Sequence, residues 1–116
     1  MEEENPVFEV IITKTAEIHF YEIVEYLYEY FSAEKAEAIA ITLQEKALSL
    51  ARYYYRGQTE SQLAQRPHTY RYILFERTKR SQVKIIYYVD ETAQRVYITD
   101  FFPTERDDRL ISERSS

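Results

Sequence analysis

Cysteine is absent from this 116-residue chain, which excludes disulfide bonds and thiolate catalysis. Glycine occurs once and proline three times, so few unusual backbone turns are expected and no glycine-rich phosphate loop exists. No apolar run approaches membrane-spanning length, and the acidic start MEEENP lacks the basic residues that open a signal peptide. The sequence therefore predicts a cytoplasmic protein of bacterial type, with no membrane segment.

Length and composition favour one folded domain over residues 1–116. Hydrophobic residues make up 45% of the chain, which is typical of a globular protein and not of a disordered one. A chain of this size can bury roughly 65% of its unfolded surface. The polar ends, residues 1–6 and about 111–116, are expected to be flexible tails.

The net charge of −5 divides unevenly along the chain. Residues 1–65 carry five basic and twelve acidic side chains, whereas residues 66–116 carry ten basic and eight acidic ones. The simpler interpretation is a solvated acidic helical face beside a mixed sheet. The alternative is a basic half that faces an anionic partner, such as RNA phosphate or an acidic peptide.

Three short runs between Tyr70 and Phe102 are rich in β-branched and aromatic residues, as strands are. They read TYRYILFER, QVKIIYYVD and QRVYITDFF, and short polar segments separate them. Such short connections cannot form a parallel crossover, so the three strands are expected to form an antiparallel meander. Basic residues inside them (Arg71, Lys84 and Arg95) indicate that one sheet face is not simply core.

The upstream half predicts one strand and two helices. Residues 7–13 (VFEVIIT) form a nearly continuous apolar run, which predicts a strand buried on both faces. Apolar residues then recur at helical spacing from Ala16 to Tyr30, with Thr13 or Thr15 as the N-cap, and again after Ser32 as far as Leu50. Residues 58–68 are expected to form a loop with one helical turn. The predicted class is α+β with order β-α-α-β-β-β, a helical hairpin packed on a small antiparallel sheet.

The order and spacing of several short pieces resemble the RelE/ParE superfamily of toxins from type II toxin–antitoxin (plasmid stabilisation) systems. The opening VIITKTAEIHFYEIVEYL, the second helix after Ser32, and the strands TYRYILFER, VKIIYYVD and VYITDFF all fall in the family's order. The family's strand arginine falls on Arg71, Lys84 replaces a usual arginine, and the terminal arginine falls on Arg106. The chain departs from the family where Tyr54 stands in place of a frequent proline.

This resemblance implies one of two activities. RelE-like members are ribonucleases that cleave mRNA in the ribosomal A site, with a basic cluster and a Tyr or His near the C-terminus. ParE-like members poison DNA gyrase by binding and are not enzymes. Here the candidate catalytic cations are Arg71, Lys84 and Arg106, but no Tyr follows Tyr97 and no His follows His68. The ParE-like activity is therefore favoured, with a RelE-like ribonuclease or a non-toxic family member as alternatives.

Partner binding is predicted for the same three basic residues and for the cluster Tyr53, Tyr54 and Tyr55. Three consecutive side chains cannot all face one core, and exposed aromatic and arginine side chains dominate binding energy. The resemblance implies a cognate antitoxin as the partner, with gyrase or the ribosome as target, and self-association is a further possibility. For Arg71 and Lys84 the structural alternative is pairing with Glu76, Asp100 or other carboxylates.

No metal or cofactor site is predicted. His19 lies beside the apolar stripe of the first helix and is expected to be a packed, hydrogen-bonded histidine, and His68 is expected to be a loop residue. Two distant histidines without cysteine do not form a zinc site. Four carboxylates near the C-terminus resemble a metal-binding group, but the interleaved Arg106 and Arg109 favour a solvated tail of mixed charge. These carboxylates are Asp100, Glu105, Asp107 and Asp108.

Overall fold

The protein is represented by a computed structural model that describes residues 6–114, so the predictions for residues 1–5 and 115–116 lie outside it. The described chain is α+β, as predicted. Its strands and helices are β1 (Glu9–Ile12), α1 (Lys14–Tyr30), α2 (Ala33–Leu48), β2 (Gln58–Thr59), β3 (Arg71–Thr78), β4 (Ser81–Asp90), β5 (Arg95–Pro103) and α3 (Ile111–Arg114). Short 3-10 turns cover Ser49–Ala51, Ser61–Leu63 and Asp108–Leu110.

Side-chain caps fix the start of both long helices. The Thr13 hydroxyl accepts a hydrogen bond from the Ala16 N–H at 3.2 Å, and the Ser32 hydroxyl accepts one from Lys35 at the same distance. Each cap satisfies one of the N–H groups that the first helical turn leaves without a partner. The N-cap of α1 is Thr13, not Thr15. Only two residues separate α1 from α2 and the helices pack against each other, so they form the predicted hairpin.

One five-stranded sheet has the spatial order β1-β5-β4-β3-β2. The meander β3-β4-β5 is antiparallel, as predicted, while β1 pairs with β5 in parallel and the two-residue β2 adds to β3. The sheet is therefore mixed, and the predictions of an antiparallel sheet and of the order β-α-α-β-β-β were wrong in this respect, since β2 and α3 are additional elements. β1 lies at one end of the spatial order and is an edge strand. The prediction that residues 7–13 are buried on both faces was wrong, because Glu9 is exposed and residues 10–12 are only half-buried.

Each face of the sheet has its own core. The helical hairpin covers the face that carries Ile73, Ile85 and Tyr87, and these side chains join Leu27 and Leu43 in the larger core. The opposite face has a smaller core, whose buried members are Leu63, Tyr70, Ile86, Phe102 and Ile111. The alternation along β3 and β4 separates these two sets, as a period of two requires.

A bulge in β5 interrupts that alternation. Ile86 pairs with Asp100 and Tyr87 pairs with Ile98, so Thr99 is an extra residue in β5. β1 ends at Ile12, which pairs with Ile98. Within residues 6–114 no strand pairs with that edge of β5 beyond Ile98, and helix α1 packs there instead.

The C-terminal segment is folded as far as residue 114, contrary to the prediction. Residues 111–116 were expected to form a flexible tail, but residues 111–114 form the short helix α3, and Ile111 is fully buried against the smaller core. Ile111 is the apolar residue of a polar segment, which is why composition alone suggested a tail.

Candidate functional site

The three candidate cations do not meet in one site. Arg71 pairs with Tyr87 across the sheet and points toward the helical hairpin, whereas Lys84 pairs with Leu74 and lies on the opposite face. Arg106 is exposed beyond the end of β5. The three cations therefore do not form one basic cluster. Lys84 is three positions along β4 from Tyr87, the partner of Arg71, and this odd number places Arg71 and Lys84 on different faces.

Lys84 is already neutralised. Its ammonium donates a hydrogen bond to Glu60 at 2.8 Å, and both side chains are largely buried. The same ammonium lies 4.3 Å from the centre of the Tyr72 ring, where a cation–π contact forms. Pairing with a carboxylate is thus the observed role of Lys84, although its partner, Glu60, was not one of the two carboxylates that were predicted by number.

Arg71 lies in a cleft of about 410 Å³ with Tyr55 and His68. Its guanidinium donates to the carbonyl of Gly57 at 3.2 Å. Gly57 also donates its N–H to the Tyr87 hydroxyl at 3.0 Å, and any Cβ at this glycine would collide with that hydroxyl. Burial raises the pKa of Tyr87 above its ordinary value, although the Gly57 N–H acts in the opposite direction. The cleft therefore holds one positioned arginine beside an imidazole.

The tyrosine cluster divides between core and surface. Tyr54 is only 3% exposed and stacks on Phe8 with 3.9 Å between the ring centres, whereas Tyr53 and Tyr55 are exposed. The hydrogen bond that the Tyr54 and Tyr55 hydroxyls share, together with burial, raises the pKa of Tyr54 to about 12. The prediction that Tyr54 binds a partner was wrong, since its ring belongs to the larger core.

His68 is exposed, as expected of a loop residue, but its ring is not isolated. It stacks on Tyr88 with 3.9 Å between ring centres, and Tyr88 stacks in turn on Tyr97 at 5.1 Å. The row crosses β4 and β5 on the face opposite the hairpin. Ring stacking of this kind fixes the residues 58–69 loop against the sheet.

A second group of polar residues was not predicted as a site. The buried Asp100 carboxylate accepts a hydrogen bond from His19 Nδ1 at 2.8 Å and another from Arg114 Nη2 at 3.1 Å. The bulge at Thr99 and the end of β1 bring this carboxylate to the edge of β5, within reach of α1. His19 is therefore a packed, hydrogen-bonded histidine, as expected, but Asp100 is not part of a solvated tail.

These residues border a cleft of about 250 Å³ between α1 and the end of β5, called here the α1–β5 cleft. Arg77 lies at its base with a buried side chain, and its guanidinium donates to Glu105 at 2.6 Å. The same guanidinium lies 4.6 Å from the centre of the Tyr26 ring. The cleft is lined by His19, Glu22, Ile23, Tyr26, Arg77, Pro103, Glu105, Arg106 and Arg114.

The remaining C-terminal carboxylates are each close to a cation. Asp107 accepts hydrogen bonds from Arg109, which lowers the pKa of Asp107 below its ordinary value. Asp108 lies 4.0 Å from Lys84. Among residues 6–114, no group of three or more His, Asp or Glu side chains is arranged to hold a metal ion.

The helical hairpin carries a further candidate binding surface. The hairpin exposes seven large apolar side chains, and Tyr26 and Tyr30 contact each other on a separate side of α1. The other five are called here the hairpin surface: Ile18, Tyr21, Tyr28, Ile41 and Leu48. Tyr21 of α1 and Gln44 of α2 line the same small cleft, so the two helices contribute to a continuous region there. Between residues 6 and 114, no helix is long and apolar enough to cross a membrane.

In comparisons with known proteins, the chain matches no family model, no curated protein and no solved structure.

Proposed function

We propose that this protein is the toxin component of a type II toxin–antitoxin system, of the ParE-like kind that acts by binding a protein. A cognate antitoxin neutralises it in the bacterial cytoplasm. The arrangement of a helical hairpin on an antiparallel meander supports this proposal, since the resemblance to the RelE/ParE superfamily implies that arrangement. Thr13 and Ser32, two positions that carry the resemblance, cap the two helices.

The observation that carries the proposal is the hairpin surface. Tyr21 is 58% exposed and Tyr28 is 49% exposed, and they lie seven residues apart on one side of α1. Aromatic side chains with this much free area are typical of protein–protein interfaces, and they supply much of the binding energy there. The cognate antitoxin covers this surface in our proposal, and the isolated protein self-associates through it.

The dispersal of the candidate cations favours binding over catalysis. Cleavage of RNA through its 2′-hydroxyl requires a proton acceptor, a proton donor and cations close to one phosphate. Lys84 is separated from Arg71 by the sheet and is neutralised by Glu60. A RelE-like basic cluster built from Arg71, Lys84 and Arg106 is therefore not assembled.

One observation favours a second candidate function, that of a RelE-like ribonuclease. Arg71, His68 and Tyr55 line one cleft, which places a cation, an imidazole and a phenol within the same 410 Å³. In this alternative Arg71 contacts the phosphate and His68 transfers the proton. The cleft also contains Glu91, whose negative charge opposes RNA phosphate.

An assay with two arms separates the two candidates. Purified protein is added to gyrase in a supercoiling reaction and, separately, to ribosomes programmed with mRNA. We expect supercoiling to fall and the A-site mRNA to stay intact, because the protein acts by binding. The Arg71→Ala variant is compared with Arg80→Ala, which removes an exposed arginine from the β3–β4 turn. Cleavage of the mRNA that is lost only in Arg71→Ala would establish the ribonuclease instead.

A further inference from the structure

The α1–β5 cleft contains a buried arginine, Arg77, whose carboxylate partner is exposed to solvent. The Arg77 side chain is 2% exposed, whereas that of its partner Glu105 is 47% exposed. One oxygen of the Glu105 carboxylate accepts hydrogen bonds from the Arg77 guanidinium at 2.6 Å and from the Ser81 hydroxyl at 2.9 Å. Arg77 also donates to Ser81, so these two side chains hold each other in place. Together they form a preorganised position for one anionic oxygen.

Asp100 positions two more side chains at the same cleft. It accepts from His19 Nδ1, so Nε2 of the neutral ring is left as an acceptor without a hydrogen bond to residues 6–114. It also fixes Arg114, whose Nε and Nη1 groups are buried and have no acceptor within the described chain. A buried N–H without an acceptor is costly, and such groups concentrate where a ligand or an ion supplies the acceptor.

Arg106 completes the cation set from the rim. It is exposed, and within residues 6–114 its guanidinium makes no hydrogen bond or ion pair. The opposing charges of the cleft are Asp100, Glu105 and Glu22. Asp100 and Glu105 are each bound to an arginine already, whereas Glu22 is exposed at the rim. The unengaged donors are the Arg106 guanidinium and the Arg114 Nε and Nη1 groups, and the unengaged carboxylate oxygens are Asp100 Oδ2, which is buried, and those of Glu22. When Glu105 moves away, three arginines face two carboxylates, which favours an anionic ligand.

The distribution of donors selects the type of anion. A phosphate group presents several oxygens in different directions, and it is best held by donors that converge from several elements. Here Arg77 of β3 lines the cleft together with Arg106 and Arg114 from the chain after β5. Ser81 of β4 adds a hydroxyl donor next to them, through its hydrogen bonds with Arg77 and Glu105. Ile23, Tyr26 and Pro103 line the same cleft and provide apolar area for a small organic substituent.

We propose that the α1–β5 cleft binds a phosphate group between Arg77, Ser81 and Arg106, and that the Glu105 carboxylate occupies this position in the free protein. Phosphate or a small phosphate monoester displaces Glu105 toward solvent and takes over its hydrogen bonds. Asp100 acts as a positioning residue that holds His19 and Arg114 at the border of the site. The proposal is independent of the toxin function and uses neither the hairpin surface nor the Arg71 cleft.

Inorganic phosphate is the probe that tests the site. Titration calorimetry and the side-chain NMR signals of the arginines report saturable binding to the wild-type protein. Arg106→Gln should weaken binding by about tenfold, because one charge-assisted hydrogen bond is lost. Glu105→Gln should strengthen binding several-fold, because the competing carboxylate is gone. Arg80→Gln, the same charge change on the nearby turn, should leave the affinity unchanged.

The two cleft variants are expected to change affinity in opposite directions, and a general effect of net charge would not produce this result. Because Glu105→Gln leaves the buried Arg77 without its counter-charge, its thermal unfolding is measured with and without phosphate. Phosphate should raise its midpoint more than that of the wild type. Titration with phenyl phosphate then distinguishes a monoester site from a site for free phosphate. Absence of saturable phosphate binding, or equal affinity in wild type and Arg106→Gln, would overturn the proposal.

Discussion

Tyrosine has two separate roles in this chain. Tyr87 is fully buried, and its hydroxyl accepts from the Gly57 N–H and donates to the Tyr54 carbonyl at 3.0 Å. Tyr54 is buried beside it, stacked on Phe8. Tyr21 and Tyr28, in contrast, expose much of their rings to solvent. Their hydroxyls make such exposed rings tolerable in water while the rings remain available for contact.

The buried tyrosines predict a loss of stability in alkaline solution. The pKa of Tyr54 is raised from 10.0 to about 12, so the folded protein holds this proton more tightly than the unfolded chain. Its contribution to stability is complete below pH 10 and is lost as the pH rises from about 10 to about 12. Urea unfolding followed by circular dichroism between pH 9 and pH 12 measures the change.

The matched variants for this prediction are Tyr54→Phe and Tyr53→Phe. Tyr54→Phe removes the shifted hydroxyl while keeping the ring in the core, so its stability should decline less steeply above pH 10. Tyr53→Phe removes an exposed hydroxyl and should follow the wild-type curve. An identical decline in Tyr54→Phe and wild type would show that this hydroxyl does not govern alkaline unfolding.

The role of a residue could be predicted from the sequence when its hydrogen-bond partner lies close to it along the chain. Thr13 and Ser32 were identified as caps because a cap bonds to a residue three positions ahead. His19 and Asp100 lie 81 residues apart, and no local pattern connects them. The available signal was an acidic residue inside the apolar run YITDFF, since a carboxylate in a strand interior requires a partner.

At the scale of elements, the four-residue helix α3 makes tertiary contacts of two kinds. It brings Ile111 into the smaller core beside Phe102 and Leu63, and it carries Arg114 to Asp100. The 3-10 turn before it begins at Asp108, and Asp107 caps that turn through the Arg109 N–H. The C-terminal segment therefore covers the sheet face that the helical hairpin does not reach.

Replacing Ile111 by Ala should lower the free energy of unfolding by about 2–4 kcal/mol, because it leaves a cavity in the smaller core. Leu110→Ala removes a similar side chain from a partly exposed position next to it, and it should cost less than about 1 kcal/mol. Denaturant unfolding of both variants provides the measurement. Equal, small losses in the two variants would mean that α3 does not pack on the sheet in solution.

The pairing of strands that follow one another in the chain could be predicted from the sequence, whereas the pairing of distant strands could not. Alternation and short turns identified β3, β4 and β5 to within two residues, because neighbouring antiparallel strands are specified locally. The parallel pairing of β1 with β5 joins residues far apart in sequence, such as Val10 and Val96, so it depends on the whole fold. The bulge at Thr99 likewise depends on the register of β4 against β5.

At the scale of the whole molecule, the exposed groups form separate surfaces. The hairpin surface lies on α1 and α2, the Arg71 cleft lies at one end of the sheet, and the α1–β5 cleft is bordered by residues of the β3–β4 hairpin and of the chain after β5. Both clefts contain charged side chains, whereas the hairpin surface is defined by apolar ones. This difference is the reason for assigning protein binding to the hairpin surface and anion binding to the α1–β5 cleft.

Growth after induced expression in a bacterial host tests the central claim most directly. The wild-type protein should stop growth, and co-expression of a small open reading frame that adjoins its gene should restore it. The double variant Tyr21→Ser, Tyr28→Ser should still stop growth at the same soluble level, but the co-expressed reading frame should no longer restore it, because the variant lacks both aromatic rings of the hairpin surface that the antitoxin covers. Tyr30→Ser is the control and should behave like the wild type, since this exposed ring contacts Tyr26, with 4.7 Å between ring centres, on another side of α1. Full growth with abundant soluble wild-type protein, or rescue of the double variant by the co-expressed reading frame, would contradict the account.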